Sequence, residues 1–169
     1  MRTNVYIDAG NLYYGLLRGN NSIKWLNPLA LTRALIKDDH VLNVVKFYTA
    51  RVRTYPEATN GRVHIVKLEE KRTDVNIATD MLNDVFSGNI DAIALISGDS
   101  DFIAPLDLIR KKFGKQVLVF DPHERFSDIC YHVSYYAHIP RDLPAKCQLP
   151  EIIPIGTHGR TIHRPAARA

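Results

Sequence analysis

Ile90-Asp91-Ala92-Ile93-Ala94-Leu95-Ile96-Ser97-Gly98-Asp99-Ser100-Asp101-Phe102 is the stretch that decides how this chain is read. Apolar residues run up to Ile96 and stop at Ser97-Gly98, as in a buried strand of a parallel sheet. Two carboxylates follow at once, and Phe102 to Phe113 then reads as a helix ending before Gly114. Upstream, Val75, Ile77, Ala78, Met81, Leu82, Val85 and Phe86 recur at helical spacing and Gly88 closes the run. Helical segments alternating with a buried strand imply βαβ units, a mostly parallel sheet and right-handed crossovers.

Working outward, Val5-Tyr6-Ile7 is a short first strand that ends on Asp8. Asn11 to Leu17 reads as a helix, and Pro28 to Ile36 as another, with Asn27 as its cap. Leu42 to Val52 is rich in β-branched and aromatic residues and reads as one strand; Arg62 to Leu68 alternates like a second. Val117 to Phe120 is a further strand, Ser127 to Val133 a helix and Tyr136 to Ile139 a last short strand. The expected fold is α/β, a three-layer α/β/α sandwich with a mostly parallel central sheet, spanning residues 1–139. From Pro140 the texture changes: Pro140, Pro144, Pro150, Pro154 and Pro165 interrupt a segment with no sustained apolar period. Residues 140–169 are expected to be a tail, wrapped on the domain or disordered.

Composition sets the outer bounds. The chain has 169 residues, 46% of them hydrophobic and 24% charged, with a net charge of +4. One domain is the default at this length, with a core that needs no disulfide or metal staple. Cys130 and Cys147 form no Cys-x-x-Cys pair and read as reduced thiols of a cytoplasmic protein. No signal-peptide apolar region or membrane-spanning run is present in the sequence. Absence of Gly-x-x-x-x-Gly-Lys-Ser/Thr and Gly-x-Gly-x-x-Gly removes the nucleotide-cofactor classes those loops serve. The tail carries Arg141, Lys146, Arg160, Arg164 and Arg168 against Asp142 and Glu151, so most of the net charge lies there. Weak, salt-sensitive RNA affinity is expected of it.

The acids carry the chemistry. Asp8 follows the first strand, and Asp99 and Asp101 follow the strand ending at Ile96. Open parallel sheets bind ligands beyond the carboxyl ends of their strands, at the switch in strand order. Asp74 opens a helix, and Asp80 lies six residues on, about 240° around it, so both can flank one cleft. Each acid has a structural alternative: Asp8, Asp74 and either Asp99 or Asp101 are placed to cap helices, and Asp80 to sit on an exposed face beside Asp84. Gathered together, however, carboxylates repel unless a cation neutralises them. A hard divalent ion, Mg²⁺ or Mn²⁺, suits such oxygen ligands and acts characteristically on phosphate esters.

Three blocks carry a resemblance. Tyr6-Ile7-Asp8-Ala9-Gly10-Asn11-Leu12-Tyr13, Glu70-Lys71-Arg72-Thr73-Asp74-Val75-Asn76-Ile77-Ala78-Thr79-Asp80-Met81 and Leu95-Ile96-Ser97-Gly98-Asp99-Ser100-Asp101-Phe102 resemble the signature blocks of NYN domains, the LabA-like branch in particular. These belong to the PIN-like nuclease superfamily. The resemblance implies a PIN-like, Rossmann-like fold, an acidic pocket for Mg²⁺ or Mn²⁺, and RNA cleavage leaving a 5′-phosphate and a 3′-hydroxyl. It makes Asp8, Asp74, Asp99 and Asp101 the catalytic, metal-holding acids and Asp80 a fifth ligand. Asn11 would orient a phosphate or a metal-bound water. The chain departs from the family in the short segment from Thr54 to Lys71, and in Arg72 where a Gly is usual.

Arg51, Arg53, Lys67, Lys71 and Arg72 precede the acidic helix and suit phosphates flanking a scissile bond, although Glu69 and Glu70 sit among them. Tyr13, Tyr14, Trp25 and Tyr55 offer stacking surfaces for unpaired bases; Tyr48, in an apolar strand, is expected in the core. The seven histidines show no ligand spacing. The leading reading is a metal-dependent ribonuclease acting on single-stranded RNA. The alternative is a non-catalytic RNA-binding or regulatory module that keeps the fold; a pairing of such domains is compatible with both.

Overall fold

An interior strand of the main sheet, β1 (Arg2–Asp8), is buried from Thr3 to its end. Strand side chains alternate between faces, so such burial means that both faces are covered. Val5 and Ile7 point to one core, shared with Ala92, Ala94 and Ile96 of β5 (Ala92–Ile96) and Phe120 of β6 (Gln116–Asp121). Leu12 and Leu31 close that layer, from α1 (Ala9–Leu12) and α2 (Pro28–Leu35). Tyr6 points the other way, to Ile93, Leu95, Val117 and Val119. There it meets Ile77, Met81 and Val85 of α3 (Thr73–Phe86), and Leu106 and Ile109 of α4 (Ile103–Lys112). The result is the α/β/α sandwich expected. This computed structural model describes residues 1–49, 51–54, 66–69, 73–155 and 160–165.

The main sheet has the order β2-β1-β5-β6-β7, with β2 at Val41–Tyr48 and β7 at Tyr135–His138, and every pairing is parallel. After β1 the chain builds β2 on one side, then returns to lay β5 on the other. This places the switch in strand order between β1 and β5.

Several elements differ from the sequence reading. The strand expected from Leu42 to Val52 breaks at Thr49, because β1 ends at Asp8, whose register partner is Tyr48. With no neighbour beyond that pair, the chain leaves the sheet. It forms a separate antiparallel ribbon of β3 (Arg51–Thr54) and β4 (Val66–Glu69). The strand expected over Arg62 to Leu68 is described from Val66 onward; residues 62–65 lie outside the described residues. The first helix starts two residues early because Asp8 caps it, and continues as a π-helical turn over Tyr13–Leu17. Gly15 lets that turn press on the loop after β6: a Cβ there would lie 3.0 Å from Pro122 and His123. Ser127 to Val133 is a 3₁₀ turn, Asp128–His132. Asn27 does cap α2, its Oδ1 accepting the N–H groups of Leu29 and Ala30 at 3.1 Å.

Beyond Pro140 the chain first wraps onto the α2 side. α5 (Leu143–Lys146) leads to Cys147, which is buried in the first core. The Asn27 N–H donates to the Cys147 carbonyl at 2.8 Å, and the Leu149 N–H to that of Trp25 at 2.8 Å. The Trp25 indole donates to the Pro150 carbonyl at 2.8 Å. An antiparallel ribbon follows, β8 (Ile152–Ile155) with β9 (Arg160–His163). No helix among the described residues is long and apolar enough to cross a membrane.

Candidate active site

β1 and β5 finish level, Ile7 opposite Ile96, so the residues that follow emerge side by side at the switch point. Asp8 is 6% exposed. Its Oδ1 accepts the Asn11 N–H at 3.0 Å, capping α1, and its Oδ2 accepts the Ser97 hydroxyl at 3.3 Å. The Ser97 Oγ also accepts the Asp99 N–H at 3.2 Å. Asp99 is half-buried, and its Oδ1 accepts the Asp101 N–H at 3.0 Å, capping the turn over Ser100–Phe102. Thus Asp8 and Asp99 do both things considered for them: each caps, and each faces the cleft.

Asn11 caps nothing with its side chain. Its Oδ1 accepts the Gly98 N–H at 2.9 Å, stitching the end of β1 to the end of β5. A cavity of about 620 Å³ opens over this stitch, lined by Asp8, Asn11, Asp99 and Asp74, the last in the first turn of α3. Tyr13, Tyr14, Phe47 and His123 complete much of its wall. The Tyr13 and Tyr14 rings meet edge to face at 5.3 Å. Lys24 Nζ stands 5.4 Å from the Tyr13 ring centre and Arg18 Cζ 5.5 Å from that of Tyr14.

Two of the expected acids stand elsewhere. Asp101 is exposed and does not line the cavity. Asp80 also lies outside that lining; its Oδ2 accepts the Tyr48 hydroxyl at 2.5 Å, with Lys46 Nζ at 3.8 Å. One helical turn on, Asp84 Oδ2 takes the Tyr6 hydroxyl at 2.6 Å, the Asn4 amide at 2.9 Å and Lys46 Nζ at 2.8 Å. Burial pushes the Asp84 carboxyl up, but these donors together outweigh it and hold the group below the usual range. Tyr6 and Tyr48 are driven well above the ordinary phenol range, by burial first and then by their bonds to Asp84 and Asp80. This network fastens α3 to β1 and β2. Of the basic residues, Arg51 and Arg53 fall on β3 and Lys67 on β4, where the backbone alone is described; Lys71 and Arg72 lie outside the described residues.

Asp121 and His123, which the sequence reading does not include, also stand at this edge of the sheet. Asp121 ends β6 and is 1% exposed; its Oδ1 accepts the His123 N–H at 2.8 Å and its Oδ2 the Tyr136 hydroxyl at 2.7 Å. That bond, after burial itself, raises Tyr136 above the usual phenol range. His123 Nδ1 stands 3.3 Å from Asp121 Oδ1. Val117-Leu118-Val119-Phe120-Asp121 has the same strand-then-acid pattern as the other two ends, so the signal was present.

The donors suit a hard cation in a particular way. Among the described residues no three Asp, Glu, His or Cys side chains gather into a cage. Asp8, Asp74 and Asp99 nevertheless all line one cavity, and an ion such as Mg²⁺ is commonly held by one or two carboxylates and otherwise by water.

Comparison with known proteins agrees with this architecture. The chain is 25% identical to the 6-hydroxy-3-succinoylpyridine 3-monooxygenase HspA of Pseudomonas putida, over 91% of this chain and 72% of that protein. Its fold is similar to the crystal structure of a protein of unknown function from Vibrio parahaemolyticus. That likeness has a TM-score of 0.56 at 18% identity and covers 83% of this chain and 94% of that one. The family model described as the NYN domain matches residues 2–139, and the chain therefore belongs to the NYN domain family, within the PIN-like nuclease superfamily.

Proposed function

We propose that this protein is a metal-dependent ribonuclease that hydrolyses phosphodiester bonds of single-stranded RNA, with Asp8, Asp74 and Asp99 at its centre. The observation that supports it most is the nearly buried Asp8 carboxylate at the switch point, facing a cavity shared with Asp74 and Asp99. Bound Mg²⁺ or Mn²⁺ would supply charge neutralisation at the phosphoryl oxygen and a water of lowered pKa. The chain's part is placement. The cap to Asn11 and the bond from Ser97 fix the Asp8 carboxylate, while the Asn11–Gly98 bond holds the loop that carries Asp99. Tyr13 and Tyr14, backed by Lys24 and Arg18, present rings on which unpaired bases stack. Arg51, Arg53, Lys67, Lys71 and Arg72 are assigned to flanking phosphates by their place in the sequence before α3. The products are a 5′-phosphate and a 3′-hydroxyl.

The test is cleavage of end-labelled single-stranded RNA with Mn²⁺ by the wild type, Asp8→Asn and Asp99→Asn. Asparagine caps helices as well as aspartate, so both variants keep their turns and lose only charge. Cleavage is expected to fall at least about 100-fold in each, on the scale of removing one electrostatic stabiliser. Mn²⁺ is expected to raise the wild-type unfolding temperature and to leave that of Asp8→Asn unchanged. Equal cleavage by all three would trace the activity to a contaminant and overturn the proposal. RNA binding without cleavage would mark a non-catalytic module.

The relative named as a monooxygenase brings in a second reading, turnover of a small heteroaromatic compound. A cavity of about 620 Å³ with Tyr13, Tyr14, Phe47 and Leu17 in its wall has the size and apolar lining for one. Consumption of 6-hydroxy-3-succinoylpyridine by the purified chain supplied with O₂ and a two-electron reductant, lost in Asp8→Asn, would favour it over phosphodiester hydrolysis.

A further inference from the structure

A second cavity, of about 410 Å³, abuts the first at Asn11 and His123. Its far wall is the loop between β6 and the turn over Asp128–His132, and that loop is pinned at both ends. Asp121 holds the His123 N–H, and the Ser127 hydroxyl donates to the Gly98 carbonyl at 3.1 Å. The pinned loop displays Phe126, which lines the cavity and is 67% exposed. Beside it stands Tyr131, 70% exposed, the two ring centres 5.8 Å apart at 63°. Neither ring gains much from burial where it stands. Arg125, on the same wall, has no ion-pair partner among the described residues. Two carboxylates also line the cavity, Asp121, whose oxygens are both hydrogen-bonded, and Asp128; they repel a phosphate, so the attraction falls to Arg125. Paired exposed rings beside an unpaired guanidinium are the equipment of single-strand binding, in which stacking tolerates any base and the cation meets the backbone.

We propose that this second cavity is the path of the strand beyond the scissile phosphate, with Phe126 and Tyr131 as a base-stacking platform and Arg125 on the backbone. The inference rests on the ribonuclease reading and deepens it. The substrate is a single-stranded polynucleotide several nucleotides long, held over Tyr13 and Tyr14 on one side of the acids and over Phe126 and Tyr131 on the other. Short oligonucleotides reach one platform and long ones reach both.

The experiment measures fluorescence anisotropy of labelled RNA of about 3 and about 12 nucleotides, matched by DNA of the same sequence, with the full-length chain in EDTA so that binding is read without turnover. Phe126→Ala/Tyr131→Ala is expected to weaken the longer RNA about tenfold or more and to leave the shorter one unchanged, with Phe126→Trp/Tyr131→Trp restoring the loss. DNA is expected to respond in parallel, since stacking does not read the 2′-hydroxyl; an effect confined to RNA would overturn stacking as the mechanism. Equal affinity of the wild type and the double alanine variant for the longer strand would overturn the proposal while leaving the ribonuclease reading intact. A wild type that neither binds nor cleaves any strand would remove both.

Discussion

Gly98 is fixed by what lies over it: a Cβ at this position would fall 2.2 Å from Asp121 Oδ1. The neighbour is a carboxylate buried to 1% and hydrogen-bonded on both oxygens, so it cannot give way cheaply. Gly98→Ala is therefore expected to cost about 2–3 kcal/mol of stability, measured by urea denaturation, at the upper end of overpacking effects. It is also expected to displace the loop bearing Asp99 and so to lose cleavage. Asp121→Asn gives a contrasting result: the acid leaves but the shape stays, so Gly98 remains tolerated and the Tyr136 and His123 contacts weaken. At this scale the sequence showed the strand-end acids well, because an acid directly after an apolar run stands out. It did not show which oxygens point where. Asp121 differs from the other strand-end acids in being followed by Pro122 and His123, where those ends open onto a helix or a 3₁₀ turn. The meeting of Asp121 with Gly98, Tyr136 and His123 is a tertiary fact that no local pattern encodes.

α3 joins the sheet through an apolar stripe and a polar network. Ile77, Met81 and Val85 form its buried stripe, as the helical period requires, whereas Val75 and Phe86 are 66% and 79% exposed. Its other contact with the sheet is polar. Lys46, Tyr6 and Asn4 converge on Asp84, and Tyr48 on Asp80. The family resemblance implies Asp80 as a metal ligand; six residues of helical rotation beyond Asp74 carry it to the β2 side, where the Tyr48 hydroxyl bonds it. Asp84→Asn is expected to cost about 1–3 kcal/mol at neutral pH, since hydrogen bonds to a charged group are lost. The sign of the pH dependence follows from the direction of the shift. Asp84 titrates lower when folded, so its contribution is present above the unfolded value of about 3.9 and fades as pH falls through the folded one. Thermal unfolding followed from pH 6 down to pH 2, a range set by those values, is expected to show the gap between wild type and Asp84→Asn closing at the acid end. A constant gap would assign the effect to packing. The break in the strand after Tyr48 was likewise illegible locally: residues 42–52 have one texture, and only the end of β1 decides where pairing stops.

For the molecule as a whole, the segment after Pro140 divides in two. Residues 141–150 supply backbone partners to Trp25 and Asn27 and bury Cys147; the ribbon beyond is tied by the Arg164–Glu151 pair at 3.0 Å. A chain ending at Pro150 is expected to keep its unfolding temperature within about 3 °C, whereas one ending at Pro140 loses several times that, by loss of core area. The shorter loss should also make RNA affinity less dependent on salt, since Arg160, Arg164 and Arg168 leave with the ribbon. The three-layer architecture is legible because strand and helix periods alternate cleanly, while the sequence leaves residues 140–169 open between wrapping and disorder, since prolines and short apolar groups hide how residues 141–150 dock. The reversal of strand order has one more consequence, which concerns synthesis. β1 is made before β5, and the bonds that close the site, Ser97 to Asp8 and Gly98 to Asn11, span 89 and 87 residues. At roughly 5–20 residues per second, one apolar edge of β1 stays open for several seconds after β2 has docked on the other. A nascent chain of this protein is therefore exposed to mispairing during that interval, and the stitch between the ends of β1 and β5 forms only when β5 fills the gap.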